Sequence, residues 1–290
     1  MLPWFSPVSQ RFFNRLMERR LHHALLLAGP AGIGKGILAR WLGKVLLCKQ
    51  PVSDGACGQC QSCMLFEAET HPDYLQLMSE KQIGVDLIRD GIRKLSGTAQ
   101  LGGNKVMVIF AADSLTESAA NALLKTLEEP TGNTYILLIT DKIQRLLPTI
   151  LSRCEKQVFS VPESHLSLEW LKSQGVTNAS VALLKAYGGA PLRLKGALEQ
   201  QEGLSYQLFF ERFTQLLCGQ TDALELAREW QENAEQVVNW CQLYAHEQYI
   251  QHQQSEDQQR FSHCLEAKRV LQHPGVNKSV VLTGLLSLFA

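Results

Sequence analysis

The sequence lacks several features that would each define a class of protein. Its 28 Lys and Arg residues balance 28 Asp and Glu residues over 290 positions, so the formal net charge is +0. A protein whose whole surface attracts polyanions is therefore excluded, although a local basic patch is not. No run of about 18 apolar residues occurs, and we expect no membrane-spanning helix and no membrane partner. Residues 1–20 lack the long apolar stretch and the small-residue cleavage site of a secretory signal.

The cysteine content points to metal binding. Eight cysteines without a secretory signal favour a reducing, cytoplasmic location, where clustered cysteines bind metal more often than they form disulfides. Four of them are close in sequence: Cys48, Cys57, Cys60 and Cys63. Four thiolates at this spacing can complete a tetrahedral shell around Zn²⁺, although iron–sulfur ligation also uses closely spaced cysteines. No array of His and carboxylates suggests a catalytic metal, so we predict a structural zinc insert over 48–63; four free thiols are the alternative.

Apolar patterning predicts an α/β fold with a parallel sheet over residues 1–160, because buried strand-like runs alternate there with amphipathic helices. The strand-like runs are HALLLAG (23–29), DYLQLM (73–78), KVMVIFAA (105–112) and TYILLIT (134–140). Helical spacing occurs at 11–21, 36–48, 84–97 and 118–130. After about residue 162 the helical spacing continues to the end and good strands disappear. We therefore expect a helical region after the α/β domain.

The stretch LLLAGPAGIGKGILA (25–39) matches a phosphate-binding loop. The pattern G-x-x-x-x-G-K lets backbone amides and a lysine approach phosphates, and it normally ends in Ser or Thr, whose hydroxyl ligates Mg²⁺. The matching residues are Gly29, Gly32, Gly34 and Lys35. Gly36 stands where the hydroxyl is needed. A relic loop that binds nothing is the competing interpretation.

A second defect concerns the strand KVMVI and the residues that follow it. ATPases of this build place an Asp, usually followed by a Glu, at the end of that strand, whereas Phe110 and Ala111 occupy those positions here. Asp113 comes later, and a helix cap or turn explains it equally well. Loss of the metal hydroxyl and loss of the acids together predict weak or absent ATP binding and no autonomous hydrolysis.

Arg153, in LLPTILSRCEK (146–156), has two possible roles. A surface ion pair is the ordinary one. The other is insertion into the nucleotide site of a neighbouring subunit, where an arginine stabilises transition-state charge. Such a residue is useful even in a subunit that hydrolyses nothing.

Several segments together resemble bacterial clamp-loader subunits, the family of DNA polymerase III gamma/tau and delta-prime. The segments are THPDY, QLGGNKVMVI, SAANALLKTLEEP, LLPTILSRC and the four-cysteine insert, with weaker likeness in GGAPLRLKGAL and PGVNKSVVLTGLLSL. Gamma-type subunits keep the loop hydroxyl and the strand acids. Delta-prime subunits have degenerate nucleotide sites and keep the insert and the arginine, so the defects favour the delta-prime branch.

The resemblance implies a RecA-like AAA+ domain over 1–161, a helical lid over 162–203 and a helical collar over 204–290. It implies a five-subunit ring with gamma/tau and delta that loads the sliding clamp onto primed DNA at the expense of ATP. Arg153 would be the finger toward an adjacent gamma/tau site, and the clustered cysteines would bind the zinc. Thr140 would match a phosphate-sensing position, and Arg193 lies near the lid arginine of ATP-binding relatives.

Two other functions are alternatives to this one. An active gamma-like ATPase would need Asp113 to replace the missing acids. A zinc-ribbon nucleic-acid binder is disfavoured by the neutral charge and by the lack of basic residues in SDGACGQCQSC (53–63). Glu128 and Glu129 end a helix, where the macrodipole disfavours anions. A contact with a cation of another subunit or domain would offset this, and simple solvent exposure is the alternative.

Overall fold

A five-stranded parallel sheet organises the first part of the chain in the computed structural model, which describes residues 1–53, 55–200, 204–273 and 275–290. The strands are β1 (Ala24–Ala28), β2 (Tyr74–Leu77), β3 (Lys105–Ile109), β4 (Thr134–Thr140) and β5 (Glu155–Val158). Their order is β2-β3-β4-β1-β5, and every pair is parallel. The predicted α/β class is thereby confirmed. Ala28, the last residue of β1, is paired with Thr140 at the end of β4, so the glycine loop starts at the carboxyl edge of the sheet.

Helices cover both faces of the sheet, which explains the apolar strands. All residues of β1 and β3 are buried, as expected for parallel strands enclosed on two sides. The helices of this part are α1 (Ser6–Met17), α2 (Lys35–Leu47), α3 (Gln61–Glu67), α4 (Val85–Ser96), α5 (Glu117–Glu128), α6 (Pro148–Leu151) and α7 (Ser164–Ser173). One core lies between the sheet and α1 and α2, and the other lies between the sheet and α4, α5 and α6.

The edge strand β5 was not predicted from the sequence. Its residues are EKQV, and they alternate between half-buried and exposed, so the apolar signal of a buried strand is absent. Pairing with β1 and an ion pair from α1 hold it in place instead: Arg15 Nη2 donates to Glu155 Oε2 at 2.7 Å. A strand of this kind depends on its neighbours more than on its own composition.

The C-terminal part contains helices and no strand among its described residues, as expected. Its helices are α8 (Val181–Ala186), α9 (Pro191–Gln200), α10 (Tyr206–Leu217), α11 (Ala223–Glu229), α12 (Ala234–His252), α13 (Ser255–Val270) and α14 (Lys278–Leu286). Aromatic side chains fill its core, with the ring centroids of Phe209 and Trp240 4.9 Å apart. The buried indole of Trp240 donates to the carbonyl of Ala186 at 2.9 Å, so its polar atom is satisfied.

The chain divides into two compact units. One comprises Met1–Gly175 and Ala190–Arg193, and the other comprises Val176–Gly189 and Leu194–Ala290. The predicted domain boundary at residue 203 lies outside the described residues, and the division into three domains stays a prediction. Among the described residues, no helix is both long and apolar enough to cross a membrane.

Candidate nucleotide site and cysteine cluster

The glycine loop between β1 and α2 has the backbone shape that its sequence predicts. Gly32 and Gly34 have φ angles of +78° and +96°, in the left-handed region that favours glycine. A Cβ atom at Gly34 would lie 2.2 Å from Leu2 Cδ1, and one at Gly32 would lie 2.7 Å from Arg193 Cβ. The loop is therefore enclosed closely by other parts of the same unit.

Two of the loop's backbone carbonyls are bound by residues far away in sequence. The indole Nε1 of Trp4 donates to the carbonyl of Ile33 at 2.8 Å. The backbone N–H of Leu192 donates to the carbonyl of Gly32 at 3.1 Å. These bonds stabilise the loop in its present shape without a ligand.

The loop lysine is turned back onto the loop. Lys35 is 4% exposed, and its Nζ donates to the carbonyls of Gly29 and Pro30, each at 2.7 Å. The third contact is an ion pair with Asp141 Oδ1 at 2.6 Å. An ammonium group has three donors, so this arrangement leaves none for a phosphate oxygen.

The two defects that were separate in sequence are adjacent in space. Phe110 follows β3 directly, and a Cβ atom placed on Gly36 would lie 3.2 Å from its ring carbon Cε1. The aromatic ring thus packs where the side chain of Ser or Thr would project. Gly36, which lacks the hydroxyl, and Phe110, which replaces the acid, therefore pack against each other.

Asp113, the acid considered as a replacement, lies in a 3₁₀ turn over Ala112–Ser114. Its Oδ1 accepts a hydrogen bond from Thr140 Oγ1 at 2.7 Å. The backbone N–H of Lys142 in turn donates to Thr140 Oγ1 at 3.0 Å. Thr140, which the resemblance matches to a phosphate-sensing position, therefore binds a carboxylate of its own chain.

Arg153 lies just after α6 and is bound within its own unit. Its Nε donates to Glu128 Oε1 at 2.6 Å, and Nη1 donates to the carbonyl of Thr149 at 3.0 Å. Arg153 thus supplies a cation to Glu128 within the chain, and a contact of Glu128 with another subunit or domain stays a prediction. Its side chain is 30% exposed, so the guanidinium also reaches the surface.

The four clustered cysteines converge as a metal site requires. All four sulfur atoms lie within 4.8 Å of one another, and the separation is 3.5 Å between Cys48 and Cys57 and 3.9 Å between Cys48 and Cys60. Four sulfurs bound tetrahedrally at about 2.3 Å from a zinc ion would be about 3.8 Å apart. The cluster could therefore hold a metal ion of this size and preference.

The environment favours the thiolate form at two of the four sulfurs. Backbone hydrogen bonds lower the pKa of Cys57, whereas burial raises the pKa of Cys48 and raises that of Cys63 to about 12. The backbone N–H of Cys57 donates to Cys48 Sγ at 3.3 Å, and that of Cys60 donates to Cys57 Sγ at 3.4 Å. Burial opposes ionisation of Cys60, but hydrogen bonds from the backbone of Lys49 and Cys63 outweigh it and lower its pKa to about 6. Thiolates are the form that binds metal.

The sequence did not predict the buried position of His71, which contacts Ser62, the residue before Cys63. The Nε2 atom of His71 lies 2.7 Å from Ser62 Oγ. The hydroxyl of Ser62 donates to the carbonyl of Leu47 at 2.6 Å. The backbone N–H of Asp73 donates to Nδ1 at 3.1 Å. These partners require a neutral ring with its proton on Nε2. The short motif THPDY contains this residue, but nothing local in it indicates the partners.

Protonation of His71 is expected to destabilise the first unit at acidic pH. Burial lowers its pKa from the ordinary 6.5, so the unfolded chain binds the proton more readily than the folded chain. The free energy of unfolding should then fall as the pH drops below 6.5, by up to about 1.4 kcal/mol per pH unit. His71→Gln keeps a donor and an acceptor without the titration.

Denaturant unfolding of both proteins, metal-loaded, from pH 7.5 to 5.5 measures the effect. The wild-type curve should fall more steeply than that of the variant. Parallel curves would show that His71 does not titrate differently in the two states.

A family model and the similar sequences both point to subunits of DNA polymerase III. A family model described as DNA polymerase III, delta subunit, matches residues 6–163. A DNA polymerase III subunit delta' of Pseudomonas aeruginosa is 43% identical over 231 residues, covering 77% of this chain and 70% of the relative. The corresponding subunit of Haemophilus influenzae is 40% identical over 223 residues, covering 73% and 68%.

A solved structure of another protein has a similar fold. The crystal structure of a DNA polymerase III gamma subunit-related protein of Thermotoga maritima superposes with a TM-score of 0.51 and covers 97% of this chain and 98% of its own. The sequence identity is 20%, so the likeness concerns the fold alone.

Proposed function

We propose that this chain, which belongs to the family of DNA polymerase III delta' subunits, is a clamp-loader subunit that does not hydrolyse ATP. In this proposal it joins gamma/tau and delta subunits in a five-membered ring. The ring uses ATP bound by other subunits to load the sliding clamp onto primed DNA. Membership of the family supports the place in the assembly, and the residues of the glycine loop support the lack of hydrolysis.

The inward position of Lys35 carries the proposal for the nucleotide site. Hydrolysis in this class of protein needs the loop lysine on the outer phosphates and a Mg²⁺ ion held by the loop hydroxyl and a strand acid. Lys35 is instead saturated by two carbonyls and Asp141. Gly36 and Phe110 supply no ligand for the ion, and their contact fills the space beside the loop.

Arg153 is the residue through which this chain would act on ATP. An arginine remains protonated at any physiological pH, so it can bring positive charge to a phosphoryl group without a partner acid or base. Its partly exposed side chain lies on the turn between α6 and β5. We assign it the role of arginine finger toward the ATP site of an adjacent gamma/tau subunit.

The cysteine cluster is assigned a structural zinc ion. Four sulfur ligands leave no open coordination position, which is the pattern of a structural and not a catalytic site. The ion would tie the end of α2, which Cys48 follows, to α3, which contains Cys63. It would thereby fix the insert to the carboxyl end of α2.

Isothermal calorimetry and a hydrolysis assay on the purified chain test the proposed lack of ATPase activity. We expect no turnover with Mg-ATP, in the wild type and in Lys35→Ala alike, because the lysine is committed to its own chain. Any heat of ATP binding should be weak. Turnover that disappears in Lys35→Ala would instead identify an active ATPase and contradict the proposal.

A further inference from the structure

Four of the five N–H donors of the Arg153 guanidinium are bonded to acceptors of its own chain. Nε and Nη2 both donate to Glu128 Oε1, the first at 2.6 Å. Nη1 donates to the carbonyl of Thr149 at 3.0 Å and to Ser152 Oγ at 3.3 Å. Each of the three nitrogens therefore has a partner, and the side chain is folded back onto its own helix turn. A finger in this position offers few free N–H donors to a phosphate of a neighbouring subunit.

Glu128 is placed where a cation is needed. It is the last residue of α5, whose carboxyl end carries partial negative charge from the unpaired carbonyls. A carboxylate at that end is disfavoured unless a cation faces it, and Arg153 supplies the cation. The pair therefore stabilises the free chain at both the glutamate and the helix end.

The pair is also weak enough to be exchanged. The side chains of Arg153 and Glu128 are 30% and 49% exposed, and ion pairs in contact with solvent contribute little because water screens them. A triphosphate carries more negative charge than one carboxylate, and its oxygens accept the paired N–H groups of a guanidinium well. The same donors that hold Glu128 can therefore pass to a phosphate.

We propose that Glu128 is the holding residue for Arg153, keeping the guanidinium on its own surface until the triphosphate of the neighbouring subunit displaces the carboxylate. This inference rests on the proposed role of Arg153 as an arginine finger. It makes Glu128 a positioning residue that competes with ATP for the finger, and it assigns no contact between Glu128 and the nucleotide.

The test compares Glu128→Gln with Glu129→Gln in the reconstituted ring. Glu129 is the neighbouring residue, and it has no ion-pair partner in the part of the chain that the structure describes, so it is a matched control. Steady-state ATP hydrolysis at the site facing Arg153 gives kcat and KM. Glu128→Gln should lower KM roughly two- to fivefold, the range that exposed ion pairs allow, and kcat should not fall. Glu129→Gln should change neither.

Three outcomes would overturn the inference in different ways. If Arg153→Ala leaves hydrolysis unchanged, the finger role itself is wrong. If Arg153→Ala impairs hydrolysis and Glu128→Gln lowers kcat, the glutamate orients the finger and does not hold it back. If Glu128→Gln and Glu129→Gln behave alike in the ring, the pair only ties α5 to α6, which a melting curve of the free chain would register without any change in KM.

Discussion

Replacement of Arg153 by alanine is expected to remove most of the ATP hydrolysis at the adjacent site of the ring while this chain stays folded. Arginine fingers contribute about 10³–10⁵ in kcat by stabilising charge on the transferring phosphoryl group. The ion pair with Glu128 is partly exposed, so its loss should cost about 1 kcal/mol of folding stability or less. The effect on catalysis should therefore far exceed the effect on folding.

Single-turnover hydrolysis measures that effect best, with the other ATP sites of the ring disabled at their own loop lysines. Arg153→Lys is the informative companion, because it keeps the charge and loses the planar fork of N–H donors. It should recover little of the rate. Gel filtration must show that the ring assembles with each variant. Normal single-turnover rates in an assembled Arg153→Ala ring would refute the finger.

Disruption of the cysteine cluster is expected to have the second large effect. Cys60→Ser should eliminate a stoichiometric metal ion and lower the stability of the first unit by about 3 kcal/mol, equivalent to about 6–12 °C in Tm. The loss should be smaller than that of an isolated zinc finger, because the sheet and its two cores do not depend on the ion. The damage should centre on residues 48–63 and the end of α2.

Cys218→Ser is the matched control, since Cys218 is an exposed cysteine outside the cluster. It should keep the metal and the wild-type melting temperature. Elemental analysis of the purified chain identifies the ion and separates zinc from iron. A chain that carries no stoichiometric metal, or a Cys60→Ser protein that melts like Cys218→Ser, would contradict the assignment.

Local sequence patterns were sufficient where a feature depends on neighbours in the chain. The run TYILLIT predicted β4 with the bounds that the structure has, Thr134–Thr140, because a mostly apolar segment of that length suits a buried parallel strand. The cysteine cluster is equally local, with ligands close enough in sequence to converge by two short turns. The prediction of β3 ran past its end at Ile109, since the apolar run continues into Phe110 and Ala111.

Local sequence patterns did not predict features that depend on residues far apart in the chain. Lys35 and Asp141 are 106 positions apart, and no periodicity links them. The ion pair of Glu128 with Arg153 was not predicted, although the two residues are only 25 positions apart, because helix spacing describes one element at a time. The strand β5 was missed for a related reason, since its polar residues take their conformation from pairing with β1.

The contact between Gly36 and Phe110 has a consequence for the history of the protein. A mutation of Gly36 to threonine alone would place a Cβ atom 3.2 Å from the ring and crowd it, without restoring an acid. A mutation of Phe110 to aspartate alone would remove an aromatic side chain that packs against the core and would leave a carboxylate without the partner hydroxyl. Either first step makes a less well-packed protein with no gain in chemistry. Under the proposed lack of hydrolysis, gain of an ATPase site therefore requires at least two coordinated mutations, and selection on single substitutions would maintain Gly36 and Phe110.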